Sequence, residues 1–142
     1  MSMYCLIKTE FRSQEALLCA LVETKNRNGK FWSPGQIKIC EEPQPLVGYE
    51  GSFRKEKAHI IIPRTFVGGS ANDLGFIRNE AGVYEAIISE YDKSFYNESW
   101  LCQLKQNYSY HAIKLQQEQK GRKVTRERLD NGKQRVTVSN IR

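Results

Sequence analysis

The chain has 142 residues, of which 39% are hydrophobic and 27% are charged. This length is typical of one domain, so we predict a single domain over residues 1–142 with much solvated surface. No apolar run approaches the length that a membrane span needs; the run of residues 60–62, for example, ends at Pro63. The segment MSMYCLIKTEF shows neither a secretory leader nor a transit-peptide pattern, so we expect the protein to act in the compartment where it is made.

The excess positive charge lies in the C-terminal segment. Residues 120–142 carry eight basic and two acidic side chains, whereas residues 1–119 carry 14 of each sign. The whole net charge of +6 therefore belongs to residues 120–142. Such a cluster either attracts phosphate groups or is simply a solvated basic surface.

The cysteines and histidines predict no metal site. The four cysteines are widely separated without a C-x-x-C pair, and the only histidines are His59 and His111. Metal sites usually use closely spaced ligand pairs, because neighbouring side chains must converge on one ion. We therefore expect reduced structural thiols and no cofactor. The thiols are Cys5, Cys19, Cys40 and Cys102.

The chain begins with a predicted strand and helix. In YCLIKTEF, residues 4–11, Cys5, Ile7 and Thr9 would point to one side and the residues between them to the other, as in a β-strand. Ser13 is a typical N-cap for the helix QEALLCALVETK, because its hydroxyl oxygen accepts hydrogen bonds from first-turn amides. The predicted apolar stripe of this helix is Leu17, Ala20, Leu21 and Thr24.

The loop NRNGKFWSPGQ contains an aromatic pair, Phe31 and Trp32. Either the pair is exposed and contacts a partner, or it folds back over the preceding helix. After it, QIKIC and PLVGYEG are predicted as two short strands around a corner at Pro43 and Pro45. EKAHIIIPRTF predicts a stronger strand. Its apolar face would consist of Ala58, Ile60 and Ile62, with His59 on the opposite face.

The glycine-rich segment GGSANDLG, residues 68–75, raises the question of phosphate binding. A phosphate-binding loop needs a helix directly after its glycines, and usually a Lys followed by Ser or Thr. Here the strands FIRN and VYEAIIS follow, joined by an NEAG turn that needs a left-handed Gly82. We predict a turn without a ligand, and no small-molecule substrate.

The second predicted helix, NESWLCQLKQNYSYHAIKLQQEQKG, has Asn97 as its N-cap and Gly121 as its stop. His111 would lie on its core face with one satisfied hydrogen bond. The acids Glu85, Glu90 and Asp92 are expected to be solvated, so we predict no catalytic residues. The apolar stripe of the helix would be Leu101, Leu104, Tyr108, His111, Ala112 and Leu115.

RKVTRERLDNGKQRVTVSN predicts a C-terminal hairpin with two alternative registers. A two-residue turn would place Arg128 opposite Arg135, whereas a three-residue loop ending in a left-handed Gly132 pairs Glu127 with Arg135. Favourable cross-strand pairs favour the three-residue loop. In that register the core-facing residues would be Val124, Val136 and Val138, with the stems of Arg126 and Arg128, whereas Lys123, Lys133 and Arg135 would face solvent.

The order of elements predicts an α+β fold. A single, largely antiparallel sheet would carry two helices on one face and leave the other face partly solvated, followed by the C-terminal β-hairpin of residues 120–142.

Six motifs, in their order along the chain, resemble a protein family. They are IKTEF, GYEG, NDLGF, GVYE, LKQNYSYH and DNGKQRVTV, and they span nearly the whole chain. The chain is similar in this respect to the family of hypothetical chloroplast reading frame thirty-five, found in cyanobacteria and algal plastid genomes. The resemblance implies a soluble protein of the plastid, or of the cytoplasm in a cyanobacterial homologue. It implies no catalytic residues.

Three hypotheses on function follow. The first is a non-catalytic accessory or assembly protein that binds another protein through an open sheet face or edge, with Phe31 and Trp32 as contact candidates. The second is RNA or DNA binding by the basic hairpin, although the hairpin contains no aromatic side chain to stack on bases. The third, an enzyme using Glu85, Asp92 or His111, has no supporting motif. The second hypothesis would use Lys123, Arg126, Arg128, Lys133 and Arg135.

Overall fold

The computed structural model describes residues 3–140, so Met1, Ser2, Ile141 and Arg142 lie outside the described part of the chain. The elements follow the predicted order, with one short helix added between the third and fourth strands. The strands are β1 Tyr4–Phe11, β2 Lys38–Val47, β3 Phe53–Ile62, β4 Leu74–Arg78, β5 Tyr84–Ser89, β6 Arg122–Arg128 and β7 Gln134–Asn140, and the helices are α1 Gln14–Glu23, α2 Arg64–Val67 and α3 Glu98–Glu118.

Strands β1 to β5 form one antiparallel sheet, and β6 and β7 form a separate antiparallel hairpin. The order in the sheet is β1-β5-β4-β3-β2, so β1 and β2 are its edges. Helices α1 and α3 contact each other and share one hydrophobic core with the sheet, on what we call its inner face. The predicted α+β fold with a C-terminal hairpin is confirmed.

Helix α1 forms as predicted. The Ser13 side chain accepts a hydrogen bond from a first-turn amide at 3.1 Å and so caps the helix. The predicted stripe packs into the core because its members recur at helical spacing. Its buried residues are Leu17, Ala20, Leu21 and Thr24.

The outer face of the sheet is partly covered by the β2–β3 hairpin. Register shifts in the β2–β3 pairing bend this hairpin, and Leu46 and Ala58 pack with Ile61 and Ile87 in a second, smaller cluster. Gly75 makes this packing feasible, because a Cβ atom at this position would lie only 2.7 Å from the Cβ of Ala58. This smaller cluster therefore forms a thin second hydrophobic layer on the outer face of the sheet.

Two predictions for this region are wrong. The expected corner at Pro43 and Pro45 does not divide two strands, because β2 continues through both prolines. An edge strand tolerates proline, since its outward-facing positions need no amide donor. Ala58 packs with Ile61 and not with Ile60, because a register shift interrupts the alternation beside it.

The glycine-rich segment forms a turn, as predicted. The four-residue helix Arg64–Val67, which the sequence did not predict, leads into Gly68 and Gly69. These have φ angles of 131° and 39°, a region that favours glycine, and they reverse the chain before β4 begins at Leu74. The glycines therefore precede a strand and not a helix.

The β4–β5 turn and α3 also form as predicted. Gly82 has a φ of 80° in the turn, and Gly121 has a φ of 75° after the end of α3. The side chain of Asn97 accepts a hydrogen bond from the amide of Trp100 at 3.1 Å. Leu104 is fully buried, as expected for the middle of the apolar stripe.

The C-terminal hairpin has the register with the three-residue loop. Glu127 is opposite Arg135, and Gly132 has a φ of 82°. β6 lies against α3 and buries Val124. The prediction that Val138 faces the core is wrong, because β7 extends beyond the cover of α3 and leaves this side chain exposed.

Candidate functional site

Phe31 and Trp32 are adjacent in sequence but lie in different environments. Trp32 is 3% exposed, and its indole nitrogen donates a hydrogen bond to the carbonyl of Phe66 at 2.8 Å. Its ring lies 6.0 Å from that of Tyr96 and 6.2 Å from that of Trp100. The alternative of a buried ring is therefore correct for Trp32, but the ring packs against Tyr96 and Trp100 at the N-terminal end of α3 and is inaccessible to a partner. Phe31 is 55% exposed and stays a predicted contact residue.

Arg126 lies inside the interface between the hairpin and the helices. One of its terminal nitrogens is 3.0 Å from Glu23 Oε2, and the other donates to Asn107 Oδ1 at 3.3 Å. Its guanidinium carbon also lies 3.7 Å from the ring centre of Tyr110. Carboxylate pairing and cation–π stacking both stabilise a buried guanidinium. Arg126 therefore attaches β6 to α1 and α3 and is not a free cation.

Asn107 connects three elements, a role that the sequence did not predict. Its amide nitrogen donates to Thr24 Oγ1 at 2.9 Å, next to the end of α1. Its amide oxygen accepts from Arg126 and, at 2.9 Å, from Arg128. The available signal was its place in the LKQNYSYH motif, one helical turn before His111.

Glu23 interacts with two basic side chains. Besides Arg126, the Nε2 atom of His111 lies 3.1 Å from Glu23 Oε2. Burial alone would raise the pKa of Glu23, but its interactions with Arg126 and His111 outweigh burial and lower this pKa from its ordinary value. His111 is half-buried beside Tyr110, whose ring centre is 4.9 Å from that of His111. Its Nε2 atom approaches Glu23 without hydrogen-bond geometry, so the predicted satisfied hydrogen bond is not confirmed.

A groove runs between α1, α3 and β6, and we call it the basic groove. It consists of two hollows of about 600 Å³ each. Glu23, Phe31 and Arg128 line both hollows, and Lys114 lines the first. The structure thus brings together Phe31 and Arg128, two predicted contact residues that are far apart in sequence.

The other three predicted hairpin contacts lie away from this groove. Lys123, Lys133 and Arg135 are exposed. Arg135 is 3.3 Å from Glu127, and both side chains are 63% exposed, so this ion pair contributes little to stability. The five basic residues that the sequence grouped together therefore occupy two different surfaces.

Asp92 is 1% exposed, so the prediction that it is solvated is wrong. Its Oδ2 atom accepts hydrogen bonds from the amide of Asn72 at 3.0 Å and from Ser89 Oγ at 2.8 Å. The side chain of Asn72 donates to Ser89 Oγ at 2.9 Å. The short 3-10 turn Asp92–Ser94 begins three residues after the end of β5 and returns the carboxylate to Ser89, the last residue of that strand. We call Asn72, Asp73, Ser89 and Asp92 the polar cluster.

Asp73 connects the polar cluster to β2. Its carboxylate accepts from the amides of Val47 at 2.8 Å and Arg64 at 2.7 Å. Burial raises the pKa of Asp73, and the two amide hydrogen bonds only partly oppose this effect. The amide of Tyr49 donates to Asn72 Oδ1 at 3.0 Å, so the GYEG and NDLGF motifs meet here. Their residues thus have a structural role.

The three residues of the enzyme hypothesis do not share partners. Glu85 accepts from Asn79 at 3.1 Å, Asp92 lies in the polar cluster, and His111 contacts Glu23. Within residues 3–140, no group of three or more His, Cys, Asp or Glu side chains is placed to hold a metal ion. No helix in this described range has the length and apolar character needed to cross a membrane.

The two edges of the sheet differ in accessibility. β2 carries two prolines and two register shifts, features that hinder pairing with a further strand. β1 carries no proline and one register shift, between Lys8 and Phe11, and has an exposed Leu6 at 61%. Beside it, Thr9, Phe11 and Leu101 line a hollow of about 310 Å³ between β1 and α3, which we call the edge groove.

Comparison with known proteins gives a family but no function. No curated protein and no solved structure matches the chain. The sequence pattern of the family described as Protein of unknown function (DUF1257) matches residues 36–137, from just before β2 into β7. Because the match covers more than half of the chain, the protein belongs to this family.

Proposed function

We propose that the protein is a non-catalytic accessory protein that binds an extended segment of another protein along the free edge of β1. The observation that carries this proposal is that β1 pairs with β5 on one side only. An edge strand offers a row of main-chain donors and acceptors to an added strand. The proposed partner segment pairs with β1 in that way.

The main-chain direction identifies which groups the partner would meet. The amide of Glu90 donates to the carbonyl of Met3 at 2.8 Å, so the main chain of Met3 faces β5. Successive residues of a strand direct their peptide groups to opposite sides. The amide and carbonyl groups of Tyr4, Leu6 and Lys8 therefore point toward the free edge.

The edge groove supports an extended peptide as the occupant. An added strand would lie between β1 and α3, where Phe11 and Leu101 offer apolar contacts to one of its side chains. Lys8 and Lys105 stand at the rim, with Lys105 3.9 Å from Glu10 in an exposed pair. We therefore propose a partner segment with an apolar side chain for the groove and an acidic residue beside it for these lysines.

The proposed setting is the plastid, or the cytoplasm of a cyanobacterium. It is supported by the order of the six motifs, which resembles the family of hypothetical chloroplast reading frame thirty-five. The partner is therefore sought in a stromal or cyanobacterial extract. Expression of the tagged chain in such cells, followed by fractionation, tests the setting; recovery with membranes would contradict a soluble protein.

A proline at position 6 tests the β1 edge. The amide of Leu6 faces the free edge, so Leu6→Pro removes a donor for the partner without removing a β1–β5 hydrogen bond. The matched control Leu6→Ala removes the exposed side chain and keeps the amide. Chemical cross-linking in the extract should yield a partner with the wild type and Leu6→Ala, and none with Leu6→Pro.

Two outcomes would overturn the proposal. One is a partner that cross-links equally to wild type and to a Leu6→Pro variant of unchanged thermal stability. The other is a dimer of this chain in size-exclusion chromatography that Leu6→Pro converts to a monomer, because a second copy would then occupy the edge. Amide exchange at Leu6 and Lys8, slowed by the captured partner, would support strand addition directly.

A further inference from the structure

We propose that the basic groove binds a nucleotide unit, with its phosphate on Arg128 and Lys114 and its base on Phe31. This site is separate from the β1 edge and does not depend on it. The shared chemistry is that of an anionic phosphate attached to a planar aromatic base, which is supplied either by a free nucleotide or by single-stranded RNA.

The groove holds cations that the protein itself does not neutralise. Arg126 is paired with Glu23, whereas the contacts of Arg128 in the described chain use only one guanidinium nitrogen, on Asn107. A guanidinium has five N–H donors, so Arg128 retains most of its capacity for a phosphate. Lys114 makes no ion pair among residues 3–140, and its ammonium lies 5.9 Å from the ring of Tyr110.

Asn107 also fixes the direction of Arg128. Because the same amide oxygen accepts from Arg126 and Arg128, the two guanidinium groups converge on one buried point of α3. A ligand phosphate would therefore meet an exposed cation whose direction is set by its hydrogen bond to Asn107. Pre-positioned charged donors reduce the ordering cost of binding.

Phe31 provides the aromatic side chain that the hairpin lacks. The hairpin itself contains no aromatic residue, which weighs against base recognition by residues 120–142 alone. The loop before β2 brings the half-exposed ring of Phe31 to the same hollows as Arg128. A ring beside an arginine is the combination that binds nucleobases by stacking while holding the adjoining phosphate.

The dimensions of the groove agree with a nucleotide. Each hollow has about 600 Å³, within the range of small-molecule sites. Single-stranded RNA would extend from one hollow to the next, since Phe31 and Arg128 line both. An acidic peptide is less suited, because it would satisfy Arg128 and Lys114 without using the exposed ring.

Binding of three probes tests the site: AMP, inorganic phosphate and single-stranded oligouridylate, each titrated calorimetrically at low and moderate salt. Phe31→Ala should weaken AMP or oligouridylate binding by about tenfold or more, as expected for loss of one stacked base. Arg128→Ala should weaken binding by a similar factor and reduce the salt dependence. Inorganic phosphate should respond to Arg128→Ala and not to Phe31→Ala.

Lys133→Ala and Arg135→Ala are matched controls, since each removes a positive charge from the same hairpin but outside the groove. Their effect should be less than about twofold at moderate salt. Binding of AMP identifies a free nucleotide as the source, whereas binding of oligouridylate alone identifies RNA. Leu6→Pro should leave all of these affinities unchanged, so failure of this proposal is distinguishable from failure of the β1 proposal.

Three results would overturn the nucleotide site. The first is that no probe binds at low salt. The second is that the Lys133→Ala and Arg135→Ala controls weaken binding as much as Arg128→Ala does, because this would indicate diffuse attraction to the hairpin. In the third result an acidic peptide, polyglutamate, binds as tightly as oligouridylate, and Phe31→Ala weakens neither ligand. That result would reassign the groove to acidic protein segments.

Discussion

The polar cluster and the basic groove are both assembled from residues far apart in sequence, but they differ in what they leave open. In the polar cluster, Asn72 and Asp92 are buried, and Asp92 Oδ2 accepts hydrogen bonds from Asn72 and Ser89, whereas Asp92 Oδ1 has no hydrogen-bond partner among residues 3–140. In the basic groove, Phe31 and Arg128 are exposed, and the hollows beside them are open to solvent.

The difference separates a structural from a binding role. Hydrogen bonds among buried groups stabilise the fold, because an unmatched buried group costs free energy. Exposed side chains that share a concave surface contribute little to folding and remain free for a ligand. We therefore expect substitutions in the polar cluster to reduce stability, and substitutions at the open side of the groove to reduce binding alone.

The adjacent residues Trp32 and Phe31 give the largest expected contrast. Trp32→Ala should lower the free energy of unfolding by about 3–5 kcal/mol, because it removes a buried indole between Tyr96 and Trp100. Phe31→Ala should lower it by less than about 0.5 kcal/mol, because its ring is largely exposed. Urea unfolding followed by circular dichroism measures both values.

Trp32→Phe is the control for the Trp32 position. It keeps an aromatic ring in the core and loses the hydrogen bond to Phe66, so its effect should lie between the two alanine variants. Equal losses of unfolding free energy in Phe31→Ala and Trp32→Ala would mean that Phe31 is also packed in the core. The proposed nucleotide site would then lack an accessible aromatic ring.

The second contrast is between Asp92 and Glu90, two acids separated by one residue. Asp92→Ala should destabilise the fold by about 3 kcal/mol, since it leaves the amide of Asn72 and the hydroxyl of Ser89 without their acceptor. Glu90→Ala should cost less than about 0.5 kcal/mol, because its side chain is exposed. Thermal unfolding of the two variants provides the comparison. A stable Asp92→Ala protein would contradict a structural role for the polar cluster.

The fold could be predicted from the sequence because its signals are local. Strand alternation in β1, the Ser13 and Asn97 caps and the left-handed Gly132 each depend on a few neighbouring residues. The hairpin register also followed from pairwise chemistry between adjacent strands.

The errors arose where a distant element decides the environment. Asp92 is buried because Asn72 and Ser89 lie opposite it, and Val138 is exposed because α3 covers β6 more than β7. The basic groove was missed for the same reason. Nothing near Phe31 in the sequence indicates that Arg128 lies across the same hollow.

A third prediction tests how the basic groove is held together. Asn107→Ala should lower stability by about 1–2 kcal/mol, because Thr24 and the two arginines, Arg126 and Arg128, lose a partner. The loss should be concentrated in the hairpin. Hydrogen exchange should therefore accelerate in β6 and β7 while the amides of β4 and β5 keep their protection.

Gln103→Ala is the control for this effect, because Gln103 lies one helical turn earlier on α3 and is exposed. It should leave exchange in β6 and β7 unchanged. Uniform acceleration across the sheet in Asn107→Ala would show that the hairpin and the sheet unfold together. The contact between the hairpin and the helices would then not open independently of the sheet.

The smallest expected effect concerns two carboxylates whose pKa values shift in opposite directions. Asp73 in the polar cluster has its pKa raised by burial above the ordinary 3.8, so its contribution to stability is present at low pH and is lost as the pH rises through the folded pKa. Glu23 in the groove has its pKa lowered below the ordinary 4.5, where Arg126 and His111 outweigh burial. Its contribution is present above that ordinary value and is lost as the pH falls through the folded pKa.

Carbon-detected NMR titration of the side-chain carboxyls measures both pKa values in one sample. Asp73 should titrate above and Glu23 below its ordinary value, and Arg126→Gln should move only Glu23 upward. Acidification should therefore loosen the attachment of the hairpin while the polar cluster remains closed, because Glu23, and not Asp73, pairs with Arg126 of β6. Titration of both carboxyls at their ordinary values would mean that neither region is as enclosed or as tightly paired as the contacts require, and the distinction between them would fail.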